Sequence, residues 1–292
     1  MELSWLMKLR IAAAAAIGVV LIGILAWPIV TPSELVDVVR TGPIMINDIV
    51  ILVILAFLAG FIAYFVSWPY GREIGILAAP SGLAILAVRS DSMATLMQLS
   101  PTVAHRQALL ADLKWESIFW LVVVAAGFAG VLLGQKIRPG LKPNEAKDKS
   151  NSKSGKFLNE IIALVGSVLI AQFCIRVFAQ DVRIGSVIAQ PPVGQIVFAV
   201  LVSFGLAAFA VKKFLNVNYI WPTIASAFVT GFAISIYVKQ VQYLVQHWPA
   251  VFFSNAVVSI LPVQMVAFGT LGSIAGYWMA IRYGYWRKNE IE

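Results

Sequence analysis

Long apolar stretches, repeated along the whole chain, constrain the fold of this sequence more than any other feature. A helix rises 1.5 Å per residue, so about 20 apolar residues cross the roughly 30 Å hydrocarbon core of a bilayer. Of the 292 residues, 60% are hydrophobic and only 12% are charged. A soluble domain carries about 25% charged residues, so a soluble enzyme, a disordered chain and a disulfide-stapled secreted module are excluded. We therefore expect an all-α, polytopic bundle of transmembrane helices.

The apolar stretches predict about eight membrane spans. The first follows Lys8 and Arg10, but its apolar run is too long for a signal peptide and no small-x-small cleavage site follows it. Pro262 divides the last stretch, so Ala250–Leu261 is predicted to be a kinked or interfacial lead-in to the final span. The predicted spans are Ile11–Val30, Ile46–Ser67, Ile74–Val88, Ile118–Gly134, Phe157–Phe178, Val193–Val211, Tyr219–Val238 and Pro262–Ile281.

The third segment, Ile74–Val88, is short for a span, because 15 residues make only about 22 Å of helix. The distribution of charge favours a crossing. If the segment crosses, both termini and the basic linker share one side, which then holds 15 of the 22 Lys and Arg residues. Cytoplasmic loops carry such an excess of basic residues, so we expect both termini in the cytoplasm and the chain in the cytoplasmic (inner) membrane. Seven spans with a re-entrant third segment is the alternative.

One polar stretch divides the chain into two membrane halves. Residues 1–135 form the first half with four spans, and residues 157–292 form the second with four more. Residues 136–156 form a basic linker without apolar residues to bury, which predicts a flexible cytoplasmic connector. Its basic residues favour contact with anionic lipid. They do not predict nucleic-acid binding, since no aromatic residues interleave the charges.

An outer interfacial segment is predicted over residues 89–115 of the first half. Met93, Leu96 and Met97 share one helical face. Ser100 followed by proline is typical of a helix start, and we expect that helix to run to about Trp115. The methionine face is predicted to pack on the spans. The alternative is a docking face for a partner, because methionine side chains adapt to different surfaces.

Small residues recur at helical spacing on several predicted spans. Ala227, Gly231 and Ser235 follow one another every four residues on the seventh span, and Gly272 with Gly276 forms a GxxxG motif on the eighth. Such residues allow two helix backbones to approach closely in lipid. We expect most of these positions to serve packing within the chain, while one ridge could form an interface with another membrane chain or a second copy.

Prolines interrupt the third predicted span of each half. Pro80 precedes Ser81, and Pro222 precedes Thr223. Broken helices at matching positions can expose backbone groups that bind ions or solutes. Together with Gln264, these residues make a candidate polar pocket for a small solute.

Side chains that could act in catalysis or bind a metal are scarce. There is a single cysteine, Cys174, and both histidines fall outside the predicted spans. No metalloprotease, hydrolase, P-loop or dinucleotide motif is present, so we expect neither an enzyme nor a metal or cofactor site. The favoured function is a non-catalytic subunit or scaffold of a larger membrane assembly, in contact with the lipid bilayer and with other membrane chains or copies of itself. A small-solute transporter or channel is the alternative, and a membrane-embedded lipid enzyme would need convergent ionisable residues that are almost absent.

Overall fold

Helices dominate the described part of the chain, where the strands form one short pair, and this confirms the all-α fold. In this computed structural model the chain divides into two units. Unit one comprises Met1–Ser90 and Ile118–Lys149, and unit two comprises Asp91–Ser117 and Ser150–Glu292. The structure describes residues 4–28, 44–90, 92–100, 102–140, 153–180, 183–184, 187–188, 190–247 and 253–289. Residues 141–152 of the predicted basic linker therefore lie outside the described residues.

Unit one begins with α1 (Trp5–Gly18), which continues as a π-helical segment over Val19–Ile24. α2 spans Ile44–Val66. A short helix α3 (Gly71–Ile74), a 3₁₀ turn (Gly75–Leu77) and α4 (Ala78–Arg89) then follow without a loop. The later part of the long helix α6 (Val103–Ile137) completes this unit.

Unit two contains α5 (Met93–Leu99) and the first part of α6. α7 spans Lys153–Phe178, and a two-residue antiparallel pair, β1 (Arg183–Ile184) with β2 (Val187–Ile188), follows it. The remaining helices are α8 (Val193–Leu215), α9 (Ile220–His247) and α10 (Pro262–Asn289). The segment 91–117, which the sequence assigns to the first membrane half, thus belongs to the same unit as the second half.

Seven of the described helices are long and apolar enough to cross a bilayer. They correspond to the first seven predicted spans, and the third is a continuous helical stretch of 19 residues, Gly71–Arg89. α10, the predicted eighth span, is less apolar but has 28 residues, which is about 42 Å of helix. The chain is therefore a multi-pass membrane protein with a bundle of seven to eight spans. The seven stretches are Trp5–Ile24, Asp48–Val66, Gly71–Arg89, Val103–Ile137, Lys156–Phe178, Val193–Leu215 and Ile220–Gln240.

The fourth span is longer than its apolar run indicates. α6 is one helix of 35 residues, so the separate outer helix predicted to end near Trp115 is wrong. The predicted cap at Ser100 is also wrong, because the Oγ1 of Thr102 accepts a hydrogen bond of 3.2 Å from the His105 N–H and caps the helix. The Ser100 carbonyl instead accepts a 2.7 Å bond from the Nε of Arg106.

The lead-in to α10 is an irregular, largely buried segment rather than a kinked helix. Residues 253–261 form turns, and most of their side chains are buried. The Oδ1 of Asn255 accepts bonds of 2.9 and 3.3 Å from the N–H groups of Val257 and Val258. The Nε2 of Gln190 donates a 2.9 Å bond to the Ser259 carbonyl. These bonds satisfy backbone groups that would be costly to bury unpaired.

Close backbone contacts at glycines hold unit one together. A Cβ on Gly18 of α1 would lie 2.9 Å from the Ala78 Cα of α4, and one on Gly82 would lie 2.7 Å from the Ile22 Cβ. Between α2 and α6, a Cβ on Gly130 would lie 2.9 Å from the Phe61 nitrogen. Real Cβ atoms do not approach other heavy atoms so closely, so these crossings require glycine.

α10 is the central helix of unit two. It packs against α8 and α9, while α7 packs on the same two helices. Every residue from Ala256 to Thr270 is buried, so α10 has no exposed side from Pro262 to Thr270. A helix that is buried on all faces must be apolar all round or carry satisfied polar groups. Beyond Gly276 the helix emerges, and all residues from Ile281 to Arg287 are exposed.

Candidate functional site

The proline break predicted in unit one lies inside a continuous helix. Pro80 is the third residue of α4, and Ser81 and Gly82 continue the helix. The irregular geometry lies one turn earlier, in the 3₁₀ turn Gly75–Leu77. This displacement follows from proline chemistry, because Pro80 has no N–H to donate to the residue 76 carbonyl and its ring crowds that carbonyl. Pro80 is buried, Ser81 is half-buried, and the neighbouring Gly82 is closed against α1.

In unit two, Pro222 causes no break. It is the third residue of α9, within the first turn, where a missing N–H costs little. The Thr223 N–H already donates a 3.1 Å bond to the Tyr219 carbonyl, so the helix is regular from this point. Thr223 is buried, and its Oγ1 has no hydrogen-bond partner among the residues that the structure describes.

Gln264 caps α10. Leu261 is the residue before the helix, Pro262 is the first helical residue and Gln264 the third. The Gln264 Oε1 accepts a 3.2 Å bond from the Leu261 N–H. This is the glutamine half of a capping box, in which the third helical side chain reaches back to the N-cap backbone. Gln264 and Leu261 are both buried, so the bond satisfies a backbone donor that is shielded from solvent.

The predicted pocket residues divide between the two units. Pro80 and Ser81 belong to unit one, whereas Pro222, Thr223 and Gln264 belong to unit two. Within unit two, Ser226 of α9 is level with Gly269 of α10, since a Cβ on Gly269 would lie 2.9 Å from the Ser226 Cβ. The two helices run antiparallel there, which places Thr223 and Gln264 about 12 Å apart along the helix axes at 1.5 Å per residue.

The GxxxG motif of the eighth span lies where α10 crosses α8. A Cβ on Gly272 would lie 3.1 Å from the Leu201 carbonyl carbon, and one on Gly276 would lie 2.9 Å from the Gly205 Cα. Both glycines therefore face another helix of the same chain. The small residues allow close backbone approach, as expected of such motifs in membranes.

The small-residue ridge of the seventh span, unlike the GxxxG motif, is not covered by another described helix. Ala227 is buried, but Gly231 and Ser235 are only half-buried. No described atom lies within 4 Å of the position that a Cβ on Gly231 would take. The rings of Phe228 and Phe232 stack beside it with centroids 6.0 Å apart. We call this part of α9, Ala227 to Ser235 with its two phenylalanines, the open ridge.

A buried cation in the first part of α6 is not among the site residues predicted from the sequence. Arg106 is only 5% exposed, and it shares a helix face with Leu110, Leu113 and Ser117, which are all buried. The i, i+4, i+7, i+11 spacing of these residues is a readable signal of one buried face. The Arg106 guanidinium interacts electrostatically with Tyr237 of α9. The burial of all four side chains shows that other residues cover this face of α6.

The methionine face of the outer segment is buried. Met93, Leu96 and Met97 are at most 7% exposed, which agrees with packing inside unit two rather than with a free docking surface. On α6, Asp112 and Glu116 are adjacent at i, i+4 spacing, and each has one carboxylate oxygen shielded from solvent. Within the described ranges, no three His, Cys, Asp or Glu side chains come together as a metal site.

Comparisons of the chain with protein-family profiles, with curated proteins and with solved structures find no match.

Proposed function

We propose that this multi-pass membrane protein is a non-catalytic subunit or scaffold that binds another membrane chain, or a second copy of itself, through the open ridge of α9. The single observation that carries the proposal is the contrast between two small-residue motifs. Gly272 and Gly276 are closed against α8, whereas Gly231 faces no described part of its own chain. Helices associate in lipid through close packing of small residues, so an open small-residue surface favours a second helix there.

The shape of the open ridge supports a helix as the occupant. Gly231 forms a notch, and the exposed rings of Phe228 and Phe232 rise on one side of it. The Ser235 hydroxyl donates its hydrogen bond to the Gly231 carbonyl at 2.7 Å, so it needs no further acceptor. The ridge therefore offers van der Waals contact to a passing backbone at no cost in unsatisfied polar groups.

Substitution of Gly231 by leucine tests this proposal, with Gly166→Leu as the matched control. Gly166 lies in α7, and no described atom lies within 4 Å of its Cβ position either. Both changes add the same side chain to an open helix face. We expect Gly231→Leu to abolish co-purification of a partner or of a second copy, while both variants keep the stability of the isolated chain. Equal retention of the assembly by both variants would contradict the proposal.

The proposal also includes the orientation of the chain in the membrane. The termini and the basic linker are placed in the cytoplasm and the chain in the inner membrane, because 15 of 22 basic residues then lie on the cytoplasmic side. The basic linker would contact anionic lipid of that leaflet.

Transport of a small solute is the second candidate. It is supported by buried hydroxyl oxygens without a hydrogen-bond partner among the described residues, in Ser203 of α8 and Thr223 of α9. A solute or an ion could supply the missing partners. Thr223→Cys in a Cys174→Ser background distinguishes the candidates, because a hydrated pathway would admit a water-soluble thiol reagent. Complete protection of the cysteine would count against transport through this point.

A further inference from the structure

Arg106, the fourth residue of α6, is buried although its side chain carries a full positive charge. It is only 5% exposed, and Leu110 and Leu113 on the same helix face are buried as well. Moving a cation out of water is costly unless an anion or a set of hydrogen bonds compensates the charge. The positive end of the helix dipole, close to this residue, adds to the cost. The burial of Arg106 therefore requires compensation.

The described residues compensate only one edge of the guanidinium. Its Nε donates the 2.7 Å bond to the Ser100 carbonyl, which fixes the plane of the group. The described part of the chain gives Arg106 no other hydrogen bond and no carboxylate within ion-pair distance. The terminal nitrogens Nη1 and Nη2 are not among the shielded atoms without a partner, so they reach the small exposed part of the side chain. These two nitrogens carry four N–H donors.

The acidic residues of α6 are too far away to pair with Arg106. Asp112 and Glu116 follow it by six and ten residues, which is about 9 and 15 Å along the helix axis. Both carboxylates also have interactions elsewhere in the structure. Neither of them therefore provides the counter-ion of the guanidinium.

The other described carboxylate of unit two, Glu160, lies at the far end of this unit. Its neighbour Ala163 packs in one cluster with Trp221, whereas Tyr237, which interacts with Arg106, lies 16 residues or about 24 Å further along α9. The remaining acidic residues of unit two lie outside the described residues, and they are Asp91, Asp181, Glu290 and Glu292. The described carboxylates thus leave the compensation of Arg106 to another group.

We propose that Arg106 binds the oxyanion of a ligand, a carboxylate or a phosphate group, through its two terminal nitrogens. Two oxygens of such a group accept parallel N–H bonds from the guanidinium. The Ser100 carbonyl holds the guanidinium in place, and the apolar Leu110 and Leu113 lower the local dielectric constant, which strengthens the attraction. This site does not depend on the open ridge or on the proposed assembly.

The position of Arg106 along α6 gives it access to oxyanions from two sources. It lies 12 residues, about 18 Å, before Ile118, where the apolar run of the helix begins. It therefore lies on the aqueous side of the hydrocarbon core, where soluble oxyanions and the phosphate groups of lipids both occur.

Binding of inorganic phosphate to the full chain in a non-ionic detergent tests the proposal. The midpoint of thermal unfolding is measured while sodium phosphate replaces sodium chloride at constant ionic strength. The test variant is Arg106→Gln, and the matched control is Lys114→Gln, which removes an exposed cation from the same helix. We expect phosphate to stabilise the wild type and the control equally. Its Kd should rise about ten-fold or more in the test variant, because at least one charge-assisted hydrogen bond is lost.

A purely structural role of Arg106 would lower the stability of Arg106→Gln without changing its response to phosphate, and this result would overturn the proposal. Absence of stabilisation in the wild type would overturn it too. Tighter phosphate binding by Asp91→Asn or Asp181→Asn would show that a carboxylate of the chain itself occupies the site, which also contradicts the proposal. If Arg106→Gln does not fold, Arg106→Lys keeps the charge but loses the paired donors, and an unchanged Kd would refute the site.

The same titration in phosphatidylcholine nanodiscs distinguishes the two sources of the oxyanion. If the ligand is soluble, phosphate stabilises the wild type in nanodiscs as it does in detergent. If a lipid phosphate occupies the site, added phosphate gives no further stabilisation in nanodiscs. Either result supports the site only if Arg106→Gln has lost the response to phosphate in detergent.

Discussion

The crossing of α10 and α8 at Gly276 makes a quantitative prediction. A Cβ added to Gly276 would lie 2.8 Å from the Gly205 carbonyl carbon and 2.9 Å from its Cα. Carbon atoms in contact are about 3.5–4.0 Å apart, so Gly276→Ala forces the two helices apart by roughly 0.7 Å or more. Overpacking of this kind costs about 1–3 kcal/mol.

Alanine also stabilises a helix relative to glycine by about 1 kcal/mol, which would mask part of the cost. Gly231→Ala isolates this second effect, because Gly231 lies on an open helix face. The difference in unfolding free energy between the two variants therefore reports the clash alone. We expect Gly276→Ala to be less stable than Gly231→Ala by about 1–3 kcal/mol.

The assay is the unfolding free energy in mixed micelles, with the helical circular dichroism followed as denaturing detergent is increased. Gly205→Ala provides an internal control from the same crossing. A Cβ there would lie 3.6 Å from the Gly272 carbonyl oxygen, which is an ordinary contact. Equal loss of stability in Gly205→Ala and Gly276→Ala would refute the geometry of the crossing.

Two further predictions concern topology and capping. In a Cys174→Ser background, single cysteines at Ser152 and at the exposed Gln98 should be labelled from opposite sides of the membrane by an impermeant reagent, and labelling of both from one side would contradict the orientation. Gln264→Leu should lower the unfolding free energy by about 1–3 kcal/mol, because the buried Leu261 N–H loses its acceptor, and an unchanged value would argue against the cap.

The helical bundle could be predicted because the bilayer fixes the length of an apolar span. The limits of individual helices were harder to predict where polar residues continue a helix beyond the membrane. α6 is the clearest case. The helix begins at Val103, but residues 103–117 carry charges, so its apolar run begins only at Ile118. The spacing of Arg106, Leu110 and Leu113 is present in the sequence, but only their burial in the structure shows that this face is covered.

The small-residue motifs could be recognised from spacing, but their partners could not. Gly231 and Gly276 occur in the same four-residue pattern, yet only Gly276 is closed by another helix of this chain. The spacing shows which face of a helix carries the small residues. It does not show which neighbouring helix crosses that face. The sequence predicts Gln264 as part of a polar pocket, whereas in the structure its Oε1 caps α10. Proline at the first and glutamine at the third helical position are also typical of such a cap.

Site-specific photocrosslinking in native membranes tests most directly whether the open ridge binds another chain. A photoreactive amino acid replaces Phe232, which borders the ridge and is 54% exposed, or Phe173 of α7, which is 70% exposed. We predict a discrete protein adduct from position 232 and only lipid adducts from position 173. Lipid adducts alone from both positions would contradict an interface at the open ridge.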